Sequence, residues 1–163
     1  MSSGMQQTVS SSCSVLQRCI DWPAAQALVA AAAEAAQTMQ VRVNVAVVDP
    51  AGVLAAFLRM PGAPLHSVEI AIDKAYTAAS FGIPTSRWPQ ALAKHSAAVR
   101  EGIVLRPRFI AFGGGLPVLE DGQRIGGIGV SGGSEAQDEA IASAGLGALP
   151  VNLPRARTKK NAP

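Results

Sequence analysis

The hydrophobic and polar positions of the first sixty residues predict one helix and one hairpin. The Ala-rich run at 24–39 follows Asp21, which suits an N-cap, and Pro23, which suits a first turn, so it predicts a helix. Two β-rich runs, VRVNVAVV and VLAAFLRM, flank the turn sequence DPAG, with Pro second and Gly fourth. Together the two runs predict a β-hairpin.

Three more helices are predicted in the rest of the chain. One covers 67–80 and ends before Pro84, and a short one begins at Thr85 and reaches about Lys94. Ser134 is suited to cap the last helix, because acidic residues follow in its first turns and complement the helix dipole.

The second half also carries strand signals. Antiparallel strands are predicted at 108–112, 116–119 and 124–130, and the apolar stretch at 15–20 is compatible with an edge strand. Helices and strands in this order predict an α/β sandwich (α+β) around one mostly antiparallel sheet. We expect a single domain at 15–150 between disordered segments at 1–14 and 151–163.

The charge of the chain does not indicate a nucleic-acid partner. The net charge is +3, but four of the 14 basic residues lie in the tail, which leaves 10 basic against 11 acidic residues over 1–150. We therefore expect neither nucleic-acid nor membrane binding. The N-terminal sequence lacks the pattern of a signal peptide and no long apolar run occurs, so we expect a cytoplasmic protein.

The glycine-rich stretch GGIGVSGG at 126–133 contains the dinucleotide spacing G-x-G-x-x-G. That fingerprint requires a second parallel strand and an acidic residue roughly 20 positions later. No acidic residue follows Glu139 and no strand is predicted there, so NAD binding is excluded. The turn Ser131-Gly132-Gly133-Ser134 precedes a helix, where N–H groups either pack in a tight turn or bind a carboxylate or phosphate.

A lysine stands on a helix face otherwise lined by small residues: Lys74 shares it with Ser67, Ala71 and Ala78. It either reaches solvent along the surface or lies against a pocket and pairs with an acid such as Asp49 or Asp138. The candidates for catalytic proton transfer are therefore four residues: Lys74, Thr77, Asp49 and Asp138.

The two histidines, His66 and His95, are candidate metal or haem ligands, or else surface and capping residues. The sequence lacks C-x-x-C-H, which excludes covalently attached haem. Cys13 and Cys19 are too few for a zinc site. A disulfide between them is geometrically possible but not needed for stability, so two free thiols are the simpler expectation.

Four blocks in order resemble the GlcG/HbpS family, which includes the C-terminal domain of PduO-type proteins: VAVVDPAGVLAAFLRMPGA, EIAIDKAYTAASFGIPT, FGGGLPVLEDGQRIGGIGVSGG and QDEAIASAG. The likeness runs from about Asp21 to Ala148. The family's usual R-M-D-G-A reads Arg59-Met60-Pro61-Gly62-Ala63 here, so Pro61 replaces the family's acidic residue.

The resemblance implies helices flanking a central five-stranded antiparallel sheet, and a homo-oligomer from dimer to octamer. It also implies non-covalent haem binding, with some relatives active in corrinoid metabolism, haem sensing or small-acid catabolism. Our first hypothesis is therefore haem binding through His66 or His95. The alternative is an enzyme or binding protein for a small organic acid, held at Ser131–Ser134 (with Gly132 and Gly133) and served by Lys74. Whether the chain is an enzyme stays open.

Overall fold

The computed structural model describes residues 13–149. In that part of the chain the elements are α1 (Trp22–Thr38), β1 (Asn44–Val48), β2 (Leu54–Arg59), α2 (Ser67–Phe81), a 3-10 turn (Thr85–Arg87), α3 (Trp88–Leu92), α4 (Ala97–Ile103), β3 (Gly115–Glu120), β4 (Gln123–Ser131) and α5 (Glu135–Leu146). The terminal segments predicted to be disordered lie outside the described residues, apart from positions 13 and 14.

The strands form one antiparallel sheet in the order β2-β1-β4-β3. Helices α1 and α5 pack on each other and on one face, while α2 covers the other. Strand β1 is buried throughout because it is central and covered on both sides. Its side chains alternate, so that Val45 and Val47 join the α1–α5 core and Ala46 and Val48 face α2. The predicted α/β sandwich is confirmed, with four strands over 13–149 where five were expected.

The predicted hairpin, β1–β2, and the helices α1 and α2 on either side of it in the chain are confirmed. Local side-chain contacts explain the hairpin turn and the start of α5. Asp49 Oδ1 accepts hydrogen bonds from the N–H groups of Ala51 (2.8 Å) and Val53 (2.9 Å), which closes the turn between β1 and β2. Ser134 and Gln137 form a reciprocal capping box at the start of α5.

The edge strand at 15–20 is not formed. Ile20 N donates to Ile125 O (2.8 Å), but Val15 and Leu16 project into solvent, with 91% and 105% of their surface exposed. Because these side chains are not buried, the hydrophobic effect gives little stabilisation to a fifth strand at 15–20.

The strand predicted at 108–112 is also wrong. Arg108 has a φ of +67°, which no strand residue adopts. The Thr77 hydroxyl donates to the Arg108 carbonyl (2.9 Å) and accepts from Ile110 N (3.1 Å). These backbone groups are therefore satisfied by a helix side chain and not by a neighbouring strand.

The short helix predicted from Thr85 consists of the 3-10 turn and α3, and a further helix, α4, follows. No residue of α4 is buried, and the sequence analysis did not predict this helix. Residues 85–110 are here called the α3–α4 segment. The buried ring of Trp88 attaches this segment to α2 through an edge-on contact with Phe81 (centroids 4.7 Å apart), and it also contacts Phe109 of the same segment (4.8 Å).

Helix α2 lies very close to β4 because glycines face it. A Cβ on Gly129 would collide with Ala71 O and would lie 2.5 Å from Ala75 N, and a Cβ on Gly127 would collide with Ala75 O. The glycines that resembled a nucleotide fingerprint thus permit close backbone approach. Over the described residues no helix has the length and apolar character needed to cross a membrane.

Candidate functional site

A buried ion pair joins α2 to α5. Lys74 Nζ lies 2.7 Å from Asp138 Oδ2 and donates a second hydrogen bond to Val130 O (2.8 Å) at the end of β4. Only 1% of Lys74 and 3% of Asp138 is exposed. Of the two acids considered as partners for Lys74, Asp138 is confirmed, and the small residues of the shared helix face are buried beside it.

The covering of this pair comes from the segment before β3. The Phe112 ring centroid lies 5.0 Å from Lys74 Nζ, at cation–π distance, and 42% of Phe112 is exposed. A Cβ on Gly114, whose φ is +113°, would stand 2.8 Å from Lys74 Nζ and 2.8 Å from Asp138 Cβ. A side chain at Gly114 therefore has no room, and the partly exposed Phe112 ring also lies against the ammonium.

Sequence reasoning had not singled out Phe112 and Gly114. The signal was present in the glycine run GGG at 113–115, because consecutive glycines before a strand suggest close backbone approach. Nothing in the sequence shows that the approaching group is a lysine from another helix.

Burial moves both members of the pair toward their neutral forms. Desolvation lowers the pKa of Lys74, against the opposing effects of its hydrogen bond and charge interaction with Asp138 and of the nearby Glu135 and Glu139. Desolvation likewise raises the pKa of Asp138, against its contacts with Lys74 and the N–H groups of Gly133 and Gly132. A pair of this kind can exchange a proton internally, which is the chemistry expected of a proton-transfer site.

The Ser131–Ser134 turn, for which a tight packed turn and a carboxylate or phosphate site were both considered, binds a carboxylate of the chain itself. Asp138 Oδ1 accepts from Gly133 N (2.9 Å), and Ser134 N donates to Gln137 Oε1 (2.9 Å). Ser131 ends β4 and is buried. An external carboxylate at Gly132 and Gly133 would have to displace the Asp138 side chain.

The other two candidates for proton transfer, Thr77 and Asp49, make no hydrogen bond with Lys74 or Asp138 within residues 13–149. Thr77 is on α2 and buried, but its hydroxyl is engaged by Arg108 O and Ile110 N. Asp49 closes the β1–β2 turn and has no ion pair within 13–149. The structure therefore brings together Lys74 and Asp138 and leaves Thr77 and Asp49 in structural contacts.

The two histidines are exposed and lie in different elements. His66 directly precedes α2 without a side-chain cap hydrogen bond, and His95 follows α3. Neither imidazole makes a hydrogen bond or ion pair with another residue of 13–149, and no three metal-ligating side chains cluster there. Each ring nitrogen is therefore available to an external ligand. Cys13 and Cys19 are free and exposed, as expected.

Comparison with known proteins places this geometry in a family. A family model described as haem degrading protein HbpS-like matches residues 20–147. The chain belongs to the HbpS-like family. The resemblance seen in the sequence blocks is thereby confirmed.

Two curated relatives illustrate how much of a protein this HbpS-like domain represents. The chain is 39% identical over 124 residues to the corrinoid adenosyltransferase PduO of Salmonella typhimurium, covering 76% of this chain but 37% of PduO. It is 36% identical over 107 residues to protein GlcG of Escherichia coli K12, covering 66% of this chain and 77% of GlcG. The chain thus spans little more than a third of the length of PduO.

Solved structures of HbpS-like proteins match over nearly their whole length. HbpS is 36% identical with a TM-score of 0.77, covering 85% of this chain and 96% of HbpS. A complex of PduOC with haem is also 36% identical, with a TM-score of 0.74, covering 82% of this chain and 97% of PduOC.

Proposed function

We propose that this HbpS-like chain binds haem non-covalently, with the imidazole of His95 or His66 as an axial ligand of the iron. The observation that carries the proposal is the PduOC–haem complex, which aligns with this chain over 97% of the PduOC domain. The family's description as haem degrading adds to it.

The residues present are compatible with haem. Porphyrin supplies four nitrogen ligands, so a single protein imidazole is enough, and the absence of a multi-residue metal cluster over 13–149 is no obstacle. Haem bound there would supply iron redox chemistry. The protein's own contribution would be one imidazole, an apolar surface for the ring and cations for the propionates.

The surroundings of His95 favour it over His66. Exposed apolar side chains follow it at Val99, Val104 and Leu105, with exposed fractions of 42%, 49% and 81%. Lys94 and Arg100 supply positive charge nearby in the sequence, and Arg100 donates to the His95 carbonyl (2.9 Å). His66 is accompanied by a single exposed large apolar residue, Leu65, which is 77% exposed.

Haem titration of three proteins tests the assignment: the unaltered chain, His66→Ala and His95→Ala. The expected result is a Soret band that saturates with the unaltered chain and is weakened and shifted in His95→Ala. If the Soret band is lost in His66→Ala and kept in His95→Ala, His66 is the ligand of the iron. Identical spectra in all three would show that neither histidine binds the iron.

A second candidate function is favoured by the Lys74–Asp138 pair, whose ammonium lies 5.0 Å from the centroid of the partly exposed Phe112 ring. In this alternative, a small organic acid displaces Phe112, places its carboxylate near Lys74 and exchanges a proton with the pair. Thermal-shift screening of organic acids tests it, with Phe112→Ala as the variant that opens access. Stabilisation that is larger in Phe112→Ala, and absent with neutral amides of the same acids, would support this function. A flat screen in both proteins would exclude it.

A further inference from the structure

A small cavity lies between α2 and the α3–α4 segment, and neither member of the Lys74–Asp138 pair lines it. Its volume is about 160 Å³. Tyr76, Phe81 and Phe109 supply aromatic surface, and Arg106 and Arg108 supply positive charge. Cavities that hold drug-sized ligands measure roughly 300–1,000 Å³, so this one suits a ligand of a single ring and excludes haem.

The aromatic wall is held rigidly. Phe81 and Phe109 contact each other edge-on with centroids 6.1 Å apart, and both contact the ring of Trp88, which is only 5% exposed. Such edge-to-face contacts fix ring orientation. The wall therefore offers a preformed surface for a flat apolar group, and Trp88 lies directly behind it.

The cationic side of the cavity has unused donors. Arg108 stacks on Tyr76 (3.8 Å from the guanidinium carbon to the ring centroid), and its Nε donates to Asp73 (2.9 Å). Its terminal amino groups make no hydrogen bond with any residue of 13–149, and the Arg106 side chain has neither a hydrogen bond nor an ion pair there. No carboxylate lines the cavity. The lining therefore favours an anion.

The position of these cations is fixed by the helix beneath them. Arg108 has a left-handed backbone conformation, which is uncommon for a residue other than glycine, and the buried Thr77 hydroxyl hydrogen-bonds the Arg108 carbonyl and the Ile110 N–H. A conformation of this kind persists where surrounding contacts enforce it. The Thr77 contact thus presents Arg106 and Arg108 to the cavity in a defined arrangement.

We infer that this cavity binds a small aromatic carboxylate, whose ring packs against Phe81 and Phe109 and whose carboxylate accepts hydrogen bonds from Arg106 and Arg108. Guanidinium groups match the geometry of carboxylates, and the aromatic wall selects a planar ring. Neither histidine lines this cavity.

Trp88 provides the measurement. The other tryptophan, Trp22, is 70% exposed on α1, so Trp22→Phe leaves Trp88 as the sole fluorophore of its kind. Benzoate is the probe, and benzamide is the neutral compound of the same shape. We expect saturable quenching of Trp88 by benzoate and binding of benzamide that is weaker by about tenfold or more, because a charged hydrogen bond is lost.

Arg106→Gln and Arg87→Gln form a matched pair in this background. Both arginines are exposed and both changes remove one positive charge, but Arg87 does not line the cavity. Benzoate affinity should fall about tenfold in Arg106→Gln and stay unchanged in Arg87→Gln. The inference is overturned if benzoate shows no saturation up to about 10 mM, if benzamide binds equally well, or if the two variants behave alike.

Discussion

The α2–β4 contact and the α3–α4 segment are joined through the same helix, yet they are built in opposite ways. In the α2–β4 contact, Gly127 and Gly129 have no side chains, so the backbones of α2 and β4 approach closely. The Lys74–Asp138 pair is buried beside this contact. In the α3–α4 segment, no residue of helix α4 is buried, and the buried Trp88 is one of the anchors of an exposed, cation-rich stretch.

The difference lies in which polar groups are already satisfied. In the enclosed region the Lys74 ammonium has Asp138 and Val130 O as acceptors, and the Ser131–Ser134 turn is filled by Asp138 and Gln137. In the open segment the His95 imidazole and the Arg106 guanidinium have no partner within residues 13–149. Ligand chemistry is therefore expected where donors and ring nitrogens are free, and stability where they are saturated.

The largest predicted effect comes from breaking the enclosed pair. Lys74→Met leaves the Asp138 carboxylate buried without its cation, and removal of one partner of a buried pair costs about 3–5 kcal/mol. The free energy of unfolding, measured in urea, should fall by that amount. Lys74→Met combined with Asp138→Asn should regain most of it, because no uncompensated charge remains. Equal losses in the single and double variants would contradict the account.

A slightly smaller loss is expected where the backbones touch. In Gly129→Ala the new Cβ collides with main-chain atoms of α2, so the helix must shift at a cost of about 3 kcal/mol. Gly102→Ala is the control, since a Cβ there meets nothing within 4 Å and α4 gains up to about 1 kcal/mol from alanine. If Gly129→Ala unfolds at the same urea concentration as the unaltered chain, the close contact is not structural.

Thr77→Val tests the connection between the two regions. The change keeps the shape of the side chain but removes the bonds to Arg108 O and Ile110 N, which should cost about 1–3 kcal/mol. Amide exchange should quicken mainly in residues 106–110. Uniform loss of protection across the domain would mean that Thr77 supports the whole fold and not this segment.

The smallest effect is the pH dependence of the enclosed pair. The lowered pKa of Lys74 makes the folded chain release that proton before the unfolded chain does, so the unfolding free energy rises with pH in the window below 10.5. The raised pKa of Asp138 makes the folded chain hold its proton longer, so the unfolding free energy falls as pH rises through the window above 3.8. The pair's contribution is therefore least between these windows.

Urea unfolding across this pH range isolates that contribution. The unfolding free energy of the chain minus that of the Lys74→Met/Asp138→Asn variant should pass through a minimum between the two windows. A maximum there would show that attraction within the pair outweighs its desolvation.

Much of the enclosed region was predictable because its signals are local. The alanine-lined face of α2 suggested two alternatives for Lys74, and the structure shows the one in which it is buried and pairs with Asp138. The capping residue Ser134 was predicted from its position before the last helix. The filled turn was not predictable, because nothing in the sequence shows that Asp138 reaches back to Gly133 N.

The open segment was predicted less well because its structure depends on distant residues. The apolar residues at 108–112 suggested a strand, but the hydroxyl of Thr77, 31 residues before Arg108, donates a hydrogen bond to the Arg108 carbonyl. Helix α3 has only five residues, of which Trp88 is buried, and helix α4 has no buried residue. Neither helix therefore has the repeated buried positions from which a helix is predicted. The aromatic and cationic cavity therefore emerges only from the folded arrangement.

Haem titration of two double variants tests the central claim most directly, that ligand chemistry belongs to the free imidazoles and not to the enclosed pair. The variants are His66→Ala/His95→Ala and Lys74→Met/Asp138→Asn, each confirmed as folded by circular dichroism. We predict that the first loses the Soret band of the bound haem and that the second keeps it with unchanged affinity. An unchanged Soret band in His66→Ala/His95→Ala, together with its loss in Lys74→Met/Asp138→Asn, would contradict the claim.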